Sequence, residues 1–356
     1  MSCGDHPCIL EDVMSTAMPP VGSGLNHTTT MDYPNNTSDL FSNDSDPLDY
    51  SKPAHPGYGG FIPPSRLDLF FIWVVLTFII SFNIPVFYIL PRISSIPDTS
   101  KTVMLSLATT DLCLGTVMLF RMSYFEITSN YYLKPTDTLC RFDGSAITTF
   151  AITSVFHLAF ILLDRLLLIT RPLTYPQFMT TKTVRSVIVS LWAMGASFGV
   201  VLFFTIGDAR VKYYTSAYFC CFDSTQSYIY SSFILMMAVV VPTVINTISF
   251  AGLFYMAQKH ARSISAQESS FGTTSVNNRK VIRTLTCMVI GFYIFWSPYF
   301  IFVTIWEMIN GESFSPDMEL ITTYLAAGNS FLNPLIYIPT IKEYRKFLLR
   351  CLRLQK

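Results

Sequence analysis

The sequence predicts an all-α membrane protein: a seven-transmembrane helix bundle with a short C-terminal amphipathic helix. Three observations predict it. Seven apolar runs, each of roughly the 20 residues that cross a bilayer as a helix, follow one another between residues 66 and 340. Charged residues make up 13% of the 356, where a soluble domain carries about 25%. Lys and Arg are also unevenly placed. With seven crossings, 16 of the 24 fall on the side of the C-terminus, 7 on the opposite side, and Arg165 sits at the inner end of the third run. The positive-inside rule then puts the C-terminus in the cytoplasm and the N-terminus outside.

Residues 1–65 read as a disordered extracellular tail. Eight of their acids face one Lys, Lys52, over the first 60 residues, and Pro, Gly, Ser, Thr and Asn fill most of the rest. Such a composition buries too little apolar surface to offset the entropy of ordering. Four Asn-x-Ser/Thr sequons, at Asn26, Asn35, Asn36 and Asn43, cluster there and nowhere else, which marks a glycosylated segment. No charged n-region precedes an apolar stretch at the start, so the first span serves as its own signal anchor.

Residues 66–340 form the bundle. The runs lie near 67–91, 102–124, 137–169, 183–206, 227–256, 281–306 and 318–339. Lipid offers backbone groups no hydrogen-bonding partner, so each run must be a helix. The third starts with polar residues and turns apolar from Ile147 to Thr170. An inner loop is expected near 263–278. Residues 341–356 alternate basic with apolar, and Phe347, Leu348, Cys351 and Leu352 share one helical face. That is a helix lying on the lipid surface, with Cys351 a candidate for palmitoylation. Cys113 and Cys287 read as core residues.

Each run carries a marker that resembles the rhodopsin-like (class A) G-protein-coupled receptors. The markers are Asn83, Asp111, Cys140 with Asp164-Arg165-Leu166, Trp192, Pro242, Phe292 with Phe295-Trp296-Ser297-Pro298, and Asn333-Pro334-Leu335-Ile336-Tyr337. Arg171-Pro172-Leu173-Thr174-Tyr175 and Gln258-Lys259-His260-Ala261-Arg262 are nearest to the aminergic and trace-amine-like branch and the orphan receptors around it.

The resemblance implies roles. Arg165 faces the G protein, paired at rest with Asp164, and Leu173 docks the same partner. Trp296 is a rotamer switch under the ligand pocket, and Pro298 frees a backbone carbonyl and permits a kink. Pro242, Val155 and Phe292 form a packing core that rearranges on activation. Tyr337, after Asn333-Pro334, is a water-linked switch. Asp111, Ser154, Asn329, Ser330 and Asn333 surround a sodium ion, an allosteric ligand and the one cofactor-like group expected. Cys140 bridges to Cys220 or Cys221. Three departures accompany these matches. Leu166 replaces the family tyrosine, Asn278 and Arg279 stand where an acid on the sixth helix is usual, and Phe250 lacks the hydroxyl of its family counterpart. A weakened resting lock predicts raised basal signalling.

The matched ligand positions are Arg121, Ile147, Thr148, Ala151, Ile234, Leu235, Ala238, Tyr299, Phe300, Val303, Thr323 and Ala327. Ile147 occupies the place of the amine-binding acid, so a cationic amine is disfavoured. Arg121 either pairs with Asp143, one turn above Ile147, or holds an anionic ligand group. In a third arrangement the second outer loop fills the pocket itself.

The function expected is therefore transduction of an extracellular ligand signal to heterotrimeric G proteins at the plasma membrane, through an orphan receptor with a non-amine ligand or raised basal activity. A signalling-poor subunit that acts by heterodimerisation is the alternative. An enzyme is not expected, because His157, Asp111 and Asp164 are scattered. The seventh run has no Lys to hold retinal. The net charge of +1 gives no footprint for nucleic acid. The partners left are a G protein, an unknown extracellular ligand and membrane lipid.

Overall fold

The structure, a computed structural model, describes residues 63–265, 272–312 and 314–351. The sequons, most of the acidic tail and Leu352 lie outside these residues. Helix α1 spans Arg66–Ile89, α2 Asp98–Thr128, α3 Thr138–Thr170 and α4 Thr181–Phe203. A two-stranded antiparallel hairpin follows, β1 Val211–Tyr214 and β2 Phe219–Phe222, with Tyr213 opposite Cys220. Helix α5 is continuous through Tyr228–Ile234, a π-helical turn Leu235–Val240, and Val241–Ser265. Helix α6 runs through Gly272–Tyr299, a second π-turn Phe300–Ile305, and Trp306–Asn310. Helix α7 spans Pro316–Thr340 and α8 Lys342–Cys351.

Local chemistry sets the ends. Ser65 and Asp68 form a reciprocal capping box, with Asp68 N donating to Ser65 Oγ at 3.1 Å and Ser65 N to the Asp68 carboxylate at 2.8 Å. Thr180 and Ser315 cap α4 and α7, and Pro316 fills the first turn, where no N–H is needed. Gly311, at φ 76°, ends α6 in the left-handed conformation that costs glycine least. The helical backbone resumes at Gly272, so the expected inner loop over 263–278 is shorter than the sequence suggested.

Six of these helices are long and apolar enough to cross a membrane. The seventh, α7, is diluted by Thr322, Thr323, Asn329, Ser330 and Asn333, all buried against its neighbours. Its polar face points inward and is satisfied only in part by protein. Asn83 of α1, for example, donates to the Ser330 carbonyl at 2.9 Å.

Helix α3 is the axis, packed on α2, α4, α5 and the hairpin. Its approach to α4 depends on Gly195 and Gly199. A Cβ there would fall 2.0 Å from Thr153 Oγ1 and 2.1 Å from Thr149 Oγ1, which is how small residues four apart let membrane helices close. The buried side chains separate into two clusters, one toward the hairpin end and one toward the α8 end, and Trp296 packs on both. Large apolar residues such as Ile84, Val189, Ile248 and Ile294 point outward, as lipid-facing positions do. Cys287, expected in the core, is exposed on this surface, and Cys113 is half-buried.

Candidate functional site

Three sites lie along the axis of the bundle. The first is a cavity of about 80 Å³ just above Trp296. Nine of the matched positions line it: Ile147, Thr148, Ala151, Ile234, Ala238, Tyr299, Phe300, Thr323 and Ala327. Leu235, on the α5 π-turn, and Val303 do not. Arg121 does not either, for a physical reason. Its guanidinium is buried against Asp143 at 2.9 Å and also reaches Tyr324 Oη at 3.4 Å. An ion pair this far from water holds together because separating it would leave two buried charges uncompensated. The pairing alternative is thus the arrangement seen, and the one acid near the amine-binding position is already engaged.

The cavity's roof was not legible at the level of residues. Phe219, Cys221 and Phe222 of β2, all buried, close it from the hairpin end. Alternation along β2 explains the choice of disulfide. Cys220 faces α3 and is bonded to Cys140, while Cys221 faces the cavity as a free thiol. The Tyr299 hydroxyl lies 3.9 Å from its sulfur, and burial pushes the thiol up to about 11.

The roof is fastened at several points. Cys220 N donates to Asp143 at 3.0 Å, and Tyr324 Oη donates to the Ala217 carbonyl at 3.1 Å. Glu307 of α6, itself buried, accepts from Ser224 Oγ at 2.6 Å and Tyr214 Oη at 3.1 Å, and pairs with Lys212 at 3.3 Å. Tyr213 Oη bonds to the Tyr131 carbonyl.

The second site centres on Asp111, fully buried in α2. Ser154 Oγ donates to it at 2.9 Å and Asn333 Nδ2 approaches at 3.5 Å. Ser330 also bonds to it, and Asn329 is buried nearby on α7 with its Oδ1 lacking a protein partner. All five expected residues supply oxygen atoms, the donor type that suits a hard cation. The Asn329 Oδ1, on the helix that also supplies Ser330 and Asn333, is a buried oxygen left free for a small cation.

The third site is at the α8 end. Arg165 contacts Asp164 at 3.6 Å. Asp164 also accepts from Tyr175 Oη at 2.6 Å and Ser100 Oγ at 3.2 Å. Burial, and then the bond to Asp164, push the Tyr175 phenol above its usual value. Leu173 is 91% exposed in the segment between α3 and α4. Leu166, in place of the family tyrosine, lies against Gly252 of α5, where a Cβ would come within 2.8 Å of its Cδ1. Tyr337 is buried edge-on to Tyr344 of α8 at 5.9 Å.

Between these sites, Val155 and Phe292 share one buried cluster, and Pro242 is buried on α5. Leu332 of α7 fills the notch at Gly291 of α6, where a Cβ would sit 2.1 Å from its Cδ2. His157 is buried and bonded to Ser106 Oγ at 2.8 Å, which also accepts from Trp192 Nε1 at 3.0 Å. It is a packing residue. Cys351 is exposed on α8, with Phe347 and Leu348 half-buried along the same helix.

Comparison with known proteins gives one consistent answer. The family profile described as 7 transmembrane receptor (rhodopsin family) matches residues 71–337. The rat trace amine-associated receptor 7b is 29% identical over 255 residues, covering 68% of this chain and 69% of its own. Human trace amine-associated receptor 6 is 27% identical over 299 residues, covering 80% and 85%. The crystal structure of squid rhodopsin superposes with a TM-score of 0.71 at 16% identity, over 86% of this chain and 91% of that one.

Proposed function

Because the chain belongs to the rhodopsin family of seven-transmembrane receptors, and is a multi-pass membrane receptor rather than an enzyme, we propose that it passes an extracellular signal to heterotrimeric G proteins. In this reading the hairpin end faces outward and α8 lies on the cytoplasmic surface. Signalling is a shift between two populations of helix packing, and the state described is the resting one.

The observation that carries the proposal is the α8 end. Arg165 is held by one long contact to a carboxylate that Tyr175 and Ser100 already engage. A guanidinium so loosely paired is available to an incoming partner, and the exposed Leu173 gives that partner an apolar foothold. The same looseness supports raised basal activity. Asp111, Ser154, Asn329, Ser330 and Asn333 would hold a sodium ion, which favours the resting packing. Linkage then requires that sodium and an activating ligand oppose each other. The ligand is not a small cationic amine, because Ile147 presents an apolar wall and Asp143 is already paired with Arg121.

The test is ligand-free cAMP in cells expressing the wild type and Arg165→Ala at matched surface level. A change in the wild type that Arg165→Ala abolishes is expected. Equal signals in both, indistinguishable from mock-transfected cells, refute raised basal coupling.

A further inference from the structure

The cavity and its surroundings also bear on what reaches it and by which route, and the following rests on the receptor reading above. Its roof is bolted to four helices. The disulfide ties it to α3, and Arg121 of α2 holds Asp143, which accepts from Cys220 N. Tyr324 of α7 bonds the strand connection, and Glu307 of α6 holds Ser224, Tyr214 and Lys212. Opening it to water breaks several buried polar contacts at once, including the Arg121–Asp143 and Lys212–Glu307 ion pairs.

The side wall is built differently. Helices α5 and α6 pack on one another along Val241–Ser265 and Gly272–Tyr299, where Tyr293 Oη reaches the Thr243 carbonyl at 3.4 Å and Thr247 Oγ1 at 3.3 Å. Above that level each turns to another neighbour. Tyr230 of α5 donates to the Phe198 carbonyl of α4 at 2.8 Å, and Phe233 stacks on Phe198. Among the described residues, no hydrogen bond or ring pair joins Tyr228–Val240 to Phe300–Ile305. Both of these stretches contain a π-helical turn, and both turns present a residue to the cavity, Ala238 and Phe300. A π-turn is a local widening that recurs at functional positions, and here two stand on either side of one seam. Met236 and Ile301, in the same two turns, are exposed to lipid, each at about half of full exposure.

The cavity's chemistry agrees with a lipid-side route. Its lining holds no charged side chain. Its surface is formed almost wholly by apolar atoms of the lining residues.

We propose that the cavity takes a small, uncharged, lipophilic ligand, and that this ligand comes from the bilayer through the seam between the outer halves of α5 and α6. Its apolar body fills the space between Trp296 and the roof residues Phe219 and Phe222.

The test uses the full-length receptor in intact cells and two photoreactive probes. One is an uncharged aryl diazirine. The other is the same ring carrying a trimethylammonium group. After irradiation, peptides are mapped by mass spectrometry. Strand β2 is the diagnostic segment, since it is buried from both water and lipid and its Cys221 thiol traps carbenes. The neutral probe is expected to label Phe219–Phe222 about tenfold or more above the charged one, because an uncompensated charge is excluded from such a cavity. Ala238→Trp, which fills the space beside the seam, should remove that labelling while Met236 and Ile301 stay labelled. Labelling of exposed Glu312 by the charged probe shows that it reached the receptor. Equal β2 labelling by both probes overturns the proposal in favour of access from water. Neutral labelling of Met236 and Ile301 without β2 overturns it by showing a wall closed to lipid. Neither result touches G-protein coupling, which the Arg165→Ala comparison reads independently.

Discussion

Asn246 offers a strong test of the two-state reading. It sits on the inner half of α5 with no exposed surface, and neither its Oδ1 nor its Nδ2 has a protein partner. An unsatisfied buried polar group costs about 1–3 kcal/mol, so the resting packing carries a strain that a leucine of similar volume would not. The branched tip of leucine offsets part of that gain, by up to about 1.5 kcal/mol for a volume-conserving swap. The net stabilisation of the resting state by Asn246→Leu then centres on about 1 kcal/mol, with an upper bound of about 3, and each 1.4 kcal/mol is a factor of ten in an equilibrium.

Two readouts follow. Thermal melting of the purified receptor in detergent should shift upward. Ligand-free second-messenger output, at equal surface level, should fall severalfold toward the mock value. The polar side chain is explained if its partner exists only in the signalling state. It lies one turn before Phe250, which lacks the hydroxyl its family position usually supplies, so an amide there is placed to take over that duty. A variant that melts lower, or melts higher with unchanged basal output, would refute this reasoning.

Two other perturbations address separate parts of the molecule. Glu307→Ala leaves Ser224 and Lys212 without their acceptor and Tyr214 with only the Phe222 carbonyl, so the hairpin should loosen; hydrogen exchange at Phe219–Phe222 should rise well above wild type, and unchanged protection would show that the disulfide and the contacts to Asp143 and Tyr324 hold the roof without Glu307. Replacing sodium chloride by choline chloride should raise basal output in the wild type and have no effect in Asp111→Asn; a response retained by the variant would remove the ion from this site.

The helices were legible because their signal is long and redundant. A run such as Leu69–Ile80 can be little else in a chain this poor in charge. The site residues became legible through resemblance, since nothing in the spacing of Asp111, Ser154 and Asn333 says that they meet across three helices. What stayed hidden was set by contacts between distant segments. Cys220 and Cys221 are equivalent in sequence, and only the alternation of β2 against α3 separates them. Arg121 matched a pocket position, yet an ion pair with Asp143 withdrew it. Phe219 and Phe222 gave no sign of lining a cavity, because the docking of the hairpin over the bundle, not local pattern, places them there. Cys287 looked like core, but the rotation of α6 turned it to lipid.

The polar interior of α7 has a consequence for how the receptor is made. A segment carrying Asn329, Ser330 and Asn333 gains little by dissolving in lipid alone, where each of those groups would be unsatisfied. Its favourable environment is created by other parts of the chain, α1 with Asn83 and α2 with Asp111. The last span to leave the ribosome thus depends on the first two to be held in the membrane. Helices α1 and α2 must wait, with their own polar groups uncovered, until some 200 further residues have been synthesised. A lesion at the α1–α2–α7 junction should therefore be felt first as lost delivery to the cell surface.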